Sequence, residues 1–423
     1  MQKKLIALAV AGLASAPVFA QTNVTVYGVV DTTLESVQAK GGADFIDVNG
    51  DFGVRGARVD GRLREIERRA RVTSNSSLIG FRGTEDLGNG LKALFQVESG
   101  FNADGSGTST LATRDTFVGL NGGFGTVQLG KLTTFMRTAG AKVDFNPAAT
   151  GIGFQAATYG TIAGIKTGID ERINNAVMYT TPSFSGFAAQ LAYSAGENKK
   201  SESQNRGESV NSNAYQLAAA YENGPLYVSA GYGYAKDPSA SSAPNVGPFA
   251  TNAVGLANVN GLHDKVKTGR IAAKYSFPTN TTISALWDRS KYEAQTGTGL
   301  ASPALRNINL DAKRNAWMVG AEQKFAGNQA AYLQYARSQK IKGNDCDVTG
   351  CTRLDDGKTQ FSQWTLGYTY SLSKRTMVKA YYTRINNQRD SAADFYLSGI
   401  GSNGLVSADQ DPTGFGLGLR HTF

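Results

Sequence analysis

The sequence predicts an all-β fold, a sixteen-stranded antiparallel β-barrel that spans a membrane, and three observations lead to this prediction. Short runs in which apolar and polar residues alternate recur along the chain, and a period of two is typical of strands that bury one face. Short turns and longer loops separate these runs in regular alternation. The composition, with 50 glycines, 20 phenylalanines and 18 tyrosines but five methionines, favours strands and turns over helices.

The predicted strands have the length that a membrane barrel needs. Ten residues that rise about 3.3 Å each at a tilt of about 40° climb roughly 25 Å, the height of the apolar band of an outer-membrane barrel. Seven short turns and eight longer loops join the strands, as in barrels whose long loops lie at one end. The predicted strands are residues 24–37, 77–86, 91–101, 113–120, 126–131, 172–181, 187–195, 214–222, 226–235, 268–275, 281–292, 315–324, 329–339, 361–370, 375–385 and 413–423.

The two faces of these strands differ in polarity. In the first strand, valines occupy one face, and Asp31 and Glu35 lie on the other. Lys379, in the fifteenth strand, also opposes apolar neighbours. Apolar residues outside and charged residues inside suit a wall between lipid and water, and sixteen strands leave a lumen that side chains alone do not fill. A soluble β-sandwich is the alternative, but it accounts poorly for the long strands and one-sided aromatic residues.

Residues 1–20 have the features of a secretory signal peptide. Two lysines precede a short apolar run, and small residues lead to a cleavage site after Ala20. The run is shorter than the roughly 20 apolar residues of a membrane-spanning helix. We therefore expect a signal peptide at 1–20 and a barrel domain at 21–423. Cleavage removes two lysines and no acidic residue, so the formal charge falls from +9 to +7.

Six stretches spread along the whole chain are distinctive: "VTVYGVVDT" (24–32), "GFRGTEDLGNGLKALFQVE" (80–98), "RDTFVGLNGGFGTVQLGK" (114–131), "RINNAVMYTTPSFSGF" (172–187), "YSLSKRT" (370–376) and "GLRHTF" (418–423). In this order they resemble the general porins of β-proteobacteria, of the Bordetella, Burkholderia and Neisseria type. The resemblance implies a trimeric diffusion channel whose third long loop folds into the lumen as a constriction. It also implies that the terminal aromatic residue, Phe423, is an assembly signal for the machinery that inserts outer-membrane barrels.

The third long loop, residues 132–171, supports the same expectation from its composition. It is moderately apolar and rich in glycine and alanine, as in "GIGFQAATYGTIAGIKTG". A loop exposed above the membrane is normally more polar, so we expect this loop to pack against the inner wall. A surface loop that covers the mouth of the barrel remains the alternative.

Strand parity selects the charged residues expected inside the barrel. In the porins that the chain resembles, the arginines that match Arg114 and Arg172 line the constriction opposite acidic groups of the third loop. A field between the two sets would select ions and polar solutes. The alternative for any one arginine is a salt-bridged wall residue. The expected lumen charges are Arg82, Arg114, Lys131, Arg172, Lys379, Arg420, Asp31 and Glu35, and the expected acids of the third loop are Asp144, Asp170 and Glu171.

Two positions depart from the family pattern. Leu78 occupies a position where these porins commonly carry an arginine, so the constriction is expected to be less positive. Lys131 resembles the family's basic residue after the fifth strand, although strict parity points it at lipid.

The first loop is arginine-rich in "RGARVDGRLREIERRARV" (55–72); it is expected to attract anions, to bind lipopolysaccharide phosphates, or simply to be solvated.

The remaining reactive residues do not indicate an enzyme, a metal site or a cofactor. His263 lies in a polar loop and His421 in the terminal strand, and neither has a local nucleophile motif. Cys346 and Cys351 are separated by four residues in a long loop, and in an exported protein they are expected to form a disulfide.

The sequence thus predicts an outer-membrane general diffusion porin with a water-filled channel for ions and small hydrophilic solutes, with anions preferred. The alternative is a substrate-specific channel for an organic anion or an oligosaccharide. The expected partners are two further copies of the chain in a homotrimer, outer-membrane lipid and lipopolysaccharide, and the barrel assembly machinery. No nucleic-acid partner is expected.

Overall fold

The computed structural model describes residues 23–42, 65–106, 110–162, 165–166, 169–196, 199–200, 210–237, 262–296, 309–343, 357–401 and 406–423. The predicted signal peptide, most of the first loop, Cys346 and Cys351 lie outside the described residues.

Sixteen antiparallel strands form one closed sheet, which confirms the predicted fold class. The second strand is interrupted after Ser74 and resumes at Leu78, and both segments pair with the first strand. The strands are β1 (Asn23–Gly41), β2 (Ile66–Ser74 and Leu78–Gly88), β3 (Leu91–Gly100), β4 (Thr116–Gly122), β5 (Gly125–Thr133), β6 (Arg172–Thr180), β7 (Phe187–Ser194), β8 (Asn213–Asn223), β9 (Leu226–Lys236), β10 (Leu262–Ser276), β11 (Thr281–Thr296), β12 (Asn309–Phe325), β13 (Gln329–Ser338), β14 (Phe361–Ser371), β15 (Thr376–Asn387) and β16 (Gln410–Thr422).

The first and last strands close the barrel. β1 pairs with β16 from Val29, opposite Thr422, to Gly41, opposite Gln410. Phe423 continues the ladder: its N–H donates to the Gly28 carbonyl at 3.0 Å, and the Gly28 N–H donates to the Phe423 carbonyl at 3.1 Å. This pairing leaves no open edge between the two ends of the sheet, as a strand in lipid requires.

The outer face of the wall is apolar and the inner face is polar. On β16, Phe415, Leu417 and Leu419 are about half exposed, and the glycines between them are buried. Gly416 has a reason to be glycine, because a Cβ there would lie 2.6 Å from the Tyr381 ring inside the barrel. The apolar residues of the alternating pattern therefore face outward, as the sequence predicted, and the polar residues face inward.

The third loop lies inside the barrel and carries its own short elements, which sequence alternation did not reveal. A helix, α1 (Phe135–Val143), begins after the N-cap Thr134, whose side chain accepts a hydrogen bond from the Arg137 N–H. A short helix, α2 (Ala156–Tyr159), and a two-stranded ribbon (Thr161–Ile162 and Ile165–Lys166) follow. Neither described helix is long and apolar enough to cross a membrane.

The last loop, between β15 and β16, also folds inward and packs on the third loop. Phe395, Tyr396 and Ile400 are buried in the same apolar cluster as Phe154 of the third loop. The Phe154 and Tyr396 rings meet edge to face, with centroids 5.6 Å apart. The polar composition of the last loop gave no sign of this packing.

Barrel closure depends on the absence of a side chain at residue 28. A Cβ on Gly28 would lie 2.3 Å from Cζ of Phe423, so we predict that Gly28→Leu displaces this ring and destabilises the folded barrel by about 1–3 kcal/mol. The fraction that migrates as a compact band in unheated SDS gels after refolding measures the effect. Gly123→Leu is the matched control, because nothing lies within 4 Å of a Cβ there; equal folding of both variants would contradict the prediction.

Candidate pore constriction

A buried ion-pair network fastens the third loop to the inner wall. Arg270 on β10 donates from Nη1 to Asp170 of the loop and from Nε to Asp288 Oδ2 on β11, the latter at 3.0 Å. Arg314 on β12 donates to Asp288 Oδ1 at 2.6 Å and to the Tyr159 carbonyl at 3.0 Å. The charged side chains of the network are at most 2% exposed. Because a buried charge without its partner is costly, the network fixes how deep the loop sits.

Polar side chains extend the anchor around the wall from β8 to β14. The Phe135 N–H donates to Gln216 Oε1 at 3.0 Å, and Ser284 Oγ donates to the Val143 carbonyl at 2.7 Å. Gln363 Nε2 donates to the Ile152 carbonyl at 3.0 Å. The third loop therefore covers the inner wall from β8 to β14, and its residues 150–152 also touch β15, β16 and the break in β2. The rest of the sector from β16 through β1 to β6, which we call the open sector, faces the loop across the lumen.

Three arginines from different elements meet at the edge of that open sector. Arg114, just before β4, donates from Nε to Glu98 on β3. Arg172, the first residue of β6, donates from Nε to Asp115 Oδ2 at 3.1 Å. Arg137 of α1 comes from the loop side, and its charge and that of Arg114 both act on Arg172.

The position of Arg137 is set by the two inward loops together. Its Nη1 lies 3.8 Å from Glu171 Oε2, and its guanidinium carbon lies 5.9 Å from the centre of the Phe154 ring. Burial works against the charge of Arg137, but Tyr396, Glu171 and Asp170 raise its pKa above the ordinary value. Arg137 therefore stays charged at the constriction.

Arg82 on β2 is the exposed cation of the open sector. Its guanidinium carbon lies 5.0 Å from the centre of the Tyr27 ring. The Tyr27 hydroxyl donates to Glu98 Oε2 at 3.0 Å. Since Glu98 also pairs with Arg114, Tyr27 lies between the two arginines. Among the described residues Arg82 has no carboxylate partner within salt-bridge distance.

Two of the three acids expected to face the arginines lie elsewhere, and we correct that expectation. Asp144 is turned to the β13 wall, where it accepts from the Asn146 and Gln155 N–H groups and from Gln334. Burial raises the pKa of Asp144 to about 6 against these hydrogen bonds. Asp170 lies under the loop as the partner of Arg270. Glu171 alone lies beside an arginine of the constriction, Arg137.

The predicted lumen charges on β1, β15 and β16 form wall pairs. Asp31 and Glu35 are fully buried. Asp31 Oδ1 lies 2.6 Å from Lys379 Nζ, and Asp31 Oδ2 lies 3.1 Å from Arg420 Nη1. Lys379 is itself buried, so it faces no water, contrary to its predicted role as a lumen charge. Arg420 is the member of this set that reaches the lumen.

Glu35 holds Arg71, which the sequence placed in the first loop but which lies on β2, directly opposite Glu35. Arg71 Nε donates to Glu35 Oε2 at 2.9 Å, and its Nη2 donates to the Ser398 carbonyl of the last loop at 2.6 Å. Arg69 donates to the Ile400 carbonyl at 2.6 Å. At least these two of the many arginines that the sequence placed in the first loop therefore hold the last loop inside the barrel, a role that the sequence did not indicate.

Lys131 lies on the outer face, and its assignment to the lumen is corrected. It pairs with Thr116 on β4, two residues beyond the pair of Leu129 and Val118, whose side chains are exposed outside. A bulge between Gly130 and Leu132 shifts the pairing with β6 and turns Leu132, not Lys131, inward.

The two histidines lie at opposite ends of the barrel. His263, at the end of β10 nearer the long loops, has Nδ1 3.2 Å from Asp237 Oδ1. His421, near the short turns, has Nδ1 2.9 Å from Thr376 Oγ1. They do not share a site.

Leu78, at the usual arginine position, is buried against the inner wall.

Sequence reasoning missed the residues that anchor the third loop and one of its arginines. The alternation of inward and outward positions would have indicated Arg270, Asp288 and Arg314. Each of them lies within or beside a predicted strand, on the face opposite to its apolar residues. No periodic signal marks Arg137, since it lies on a helix inside a loop.

A closed barrel with an apolar exterior, a charged interior and a constricting loop defines a channel of the outer-membrane type. The chain belongs to the Gram-negative porin family, which it matches over residues 7–390. It is 32% identical to outer membrane porin protein 32 of Delftia acidovorans over the full length of both chains. The anion-selective porin from Comamonas acidovorans is similar in structure, with a TM-score of 0.68 and 27% identity over 95% of this chain and all of that one.

A third comparison concerns the fold alone. OmpT of Vibrio cholerae in its trimer form is 16% identical and has a TM-score of 0.59, over 95% of this chain and 99% of that chain. The family match and the full-length relative from Delftia acidovorans establish a porin of the Gram-negative outer membrane.

Because Arg270 holds the third loop against the inner wall, we predict that removing its charge widens the channel. We expect Arg270→Met to leave Asp170 and Asp288 buried without their partner, which weakens loop docking by about 3–5 kcal/mol. Single-channel recordings should then show a larger and noisier conductance than in the native protein. Arg375→Met, in a short turn at the barrel rim, is the control that should leave conductance unchanged. An unaltered, quiet channel in the Arg270 variant would refute the anchor.

Proposed function

We propose that this porin prefers anions because two ion pairs of its inner wall, Arg114 with Glu98 and Arg420 with Asp31, turn the cation toward the water and the carboxylate toward the wall. The side chain of Arg114 is 21% exposed and that of its partner Glu98 is 10% exposed. For Arg420 and Asp31 the exposed fractions are 21% and 0%. Each pair thus presents its positive end to the lumen. This orientation is the observation that carries the proposal.

Arg82 adds a charge that has no carboxylate within salt-bridge distance in the part of the chain that the structure describes. It is exposed on the inner face of the same sector and its near neighbour is an aromatic ring. Arg172 and Arg137 do not share this orientation, because their partners Asp115 and Glu171 are the more exposed members, at 20% against 15% and 31% against 14%. The anion selectivity named for the Comamonas relative and the formal charge of +9 for the whole chain support the preference for anions. Small anions and anionic solutes are therefore the expected preferred cargo, with neutral hydrophilic solutes also passing.

The preference is tested by the zero-current potential across a KCl gradient. We expect the native channel to pass chloride faster than potassium, and Arg82→Gln to reduce the permeability ratio about twofold or more, because Arg82 has no buried acid to leave behind. Arg289→Gln removes an equal charge from the outer face and should leave the ratio unchanged. Potassium preference in the native channel, or equal ratios in all three proteins, would refute the proposal.

The same recordings separate the general channel from the substrate-specific alternative. A general channel is expected to show no solute that blocks it at micromolar concentration. Blockade by one organic anion or oligosaccharide at that level would favour the specific channel instead.

We further propose that the chain works as a homotrimer and that Phe423 is read by the barrel assembly machinery. The trimer form of a protein with the same fold supports the first part. The exposed terminal ring, 46% accessible beside Gly28, supports the second. Deleting Phe423 should lower the amount of cross-linkable trimer in outer membranes several-fold, while barrel already formed keeps its conductance. Native trimer levels after the deletion would contradict the role of Phe423, and the absence of cross-linkable trimer in membranes that hold the native protein would contradict the homotrimer.

A further inference from the structure

A row of four lysines crosses the outer face of the barrel near the long-loop end. Lys267 on β10 pairs with Lys291 on β11, which pairs with Lys313 on β12. Lys313 in turn pairs with Lys342, in a short strand (Lys342–Gly343) that continues the line of β13. Like charges directly opposite on neighbouring strands destabilise a sheet. Four in a row therefore need anions close by.

The row lies on the lipid side of the wall. Its parity is that of Ile271 on β10 and of Trp287 on β11, both of which are exposed on the outside. The neighbouring inward positions, Arg270 and Arg314, are buried beneath the third loop. The lysine row therefore faces away from the channel, and anion passage does not account for it.

The carboxylates around the row are too few to neutralise it. Glu293 is shared by Lys267 at 2.9 Å and Lys291 at 2.5 Å. Asp311 is shared by Lys291 at 2.9 Å and Lys313 at 3.4 Å. The described outer face of these strands thus carries two acidic side chains against eight basic ones, which are Lys236, Lys265, Lys267, Arg289, Lys291, Lys313, Arg337 and Lys342.

The height of the row matches the headgroup layer of a membrane. Trp287 and Trp317 pair directly below it, and tryptophans mark the membrane–water interface of a barrel. Lys291 and Lys313 each lie four residues farther along their strands, a rise of about 10 Å at the usual tilt. On β11 the outward residues therefore change in order from Ile283 and Ala285 to Trp287 and then to basic side chains.

An apolar groove of about 520 Å³ lies on the same strands below the tryptophans. Small residues, Ala273, Ala285 and Ala321, form part of it between bulkier neighbours such as Ile283 and Leu333. The groove is open to the lipid side. Its width and apolar lining suit an acyl chain whose headgroup lies at the lysine row.

The sector of β14 to β16 provides an internal comparison. It has the same pair of interfacial aromatic residues, Trp364 and Tyr382. Its cation, Arg384, is matched by Asp411 at 2.8 Å. The excess of positive charge is thus a property of the strands β9 to β13 and not of every aromatic belt on the wall.

We propose that this surface binds one phosphorylated glycolipid of the outer leaflet, of the lipopolysaccharide type. The phosphates on its sugars contact the lysine row, and an acyl chain lies in the groove beside Ala285 and Ala321. Lysine ammonium groups bind phosphate as compact charges, and a phosphorylated disaccharide offers more than one phosphate to a row of this kind. The site goes beyond channel function and does not depend on ion selectivity.

The test measures lipid bound per chain by native mass spectrometry of the folded full-length porin in detergent. The probes are bisphosphorylated lipid A, the same lipid after phosphatase treatment, phosphatidylglycerol and inorganic phosphate. We expect the native protein to bind bisphosphorylated lipid A at least tenfold more tightly than each of the other three. Equal binding of dephosphorylated lipid A or of phosphatidylglycerol would overturn the proposal, and so would binding of phosphate alone at equal strength.

Two variants and a control locate the site. We expect the combined change Lys267→Gln, Lys291→Gln, Lys313→Gln and Lys342→Gln to weaken lipid A binding at least tenfold. Ala285→Phe, which fills the groove, should weaken it several-fold with the lysines intact. Lys92→Gln, Lys324→Gln, Lys374→Gln and Arg375→Gln together remove equal charge at the short-turn end and should have no effect.

Native affinity in both test variants, or equal loss in the control, would overturn the proposal. Conductance and ion selectivity are measured on the same samples and are expected to remain native. A failure of the lipid site is therefore distinguishable from a failure of the channel.

Discussion

The buried contact of Arg270 with Asp170 and Asp288 organises the interior of this porin. It places a loop of nearly forty residues against the wall from β8 to β14 and so decides which sector of the lumen remains open. The inward side chains of β10 to β13 are buried under that loop, whereas on the facing sector Arg82 is exposed and Arg114 is partly exposed. The division of the inner wall into a covered and an open half is the physical basis of the channel's charge.

The geometry of the ion pairs explains why the open sector of the inner wall presents positive charge. Every carboxylate turned inward on β1 and β3 is close to a basic partner, and the partner is the longer side chain. Aspartate and glutamate therefore stay near the wall, and the guanidinium groups extend past them toward the water. A nearly neutral set of charges can thus present a positive surface, which a count of charges in the sequence would not reveal.

Much of the fold followed from the sequence because lipid and water impose alternation on every strand. All sixteen predicted strands exist, but β10, β11 and β12 extend several residues beyond their predicted ends. On the outer face of those extensions charged residues replace apolar ones, so the alternation that marks a strand in lipid is missing there; Lys267 and Lys313 of the lysine row lie on them. The acids Asp144 and Asp170 were misplaced for a related reason: inside a loop that packs on itself, position along the chain does not determine which way a side chain points. Arg114 and Arg172 could be selected from strand parity and from the family resemblance, whereas Arg137, on a helix inside a loop, could not.

The central claim, an open sector that presents cations to the lumen, is tested most directly by locating ions in it. Crystals of the porin grown in rubidium bromide allow both ions to be found by anomalous diffraction. The account predicts bromide in contact with the guanidinium groups of Arg82 and Arg114 and no rubidium between them and the third loop. Rubidium bound in that space, with bromide absent, would contradict it.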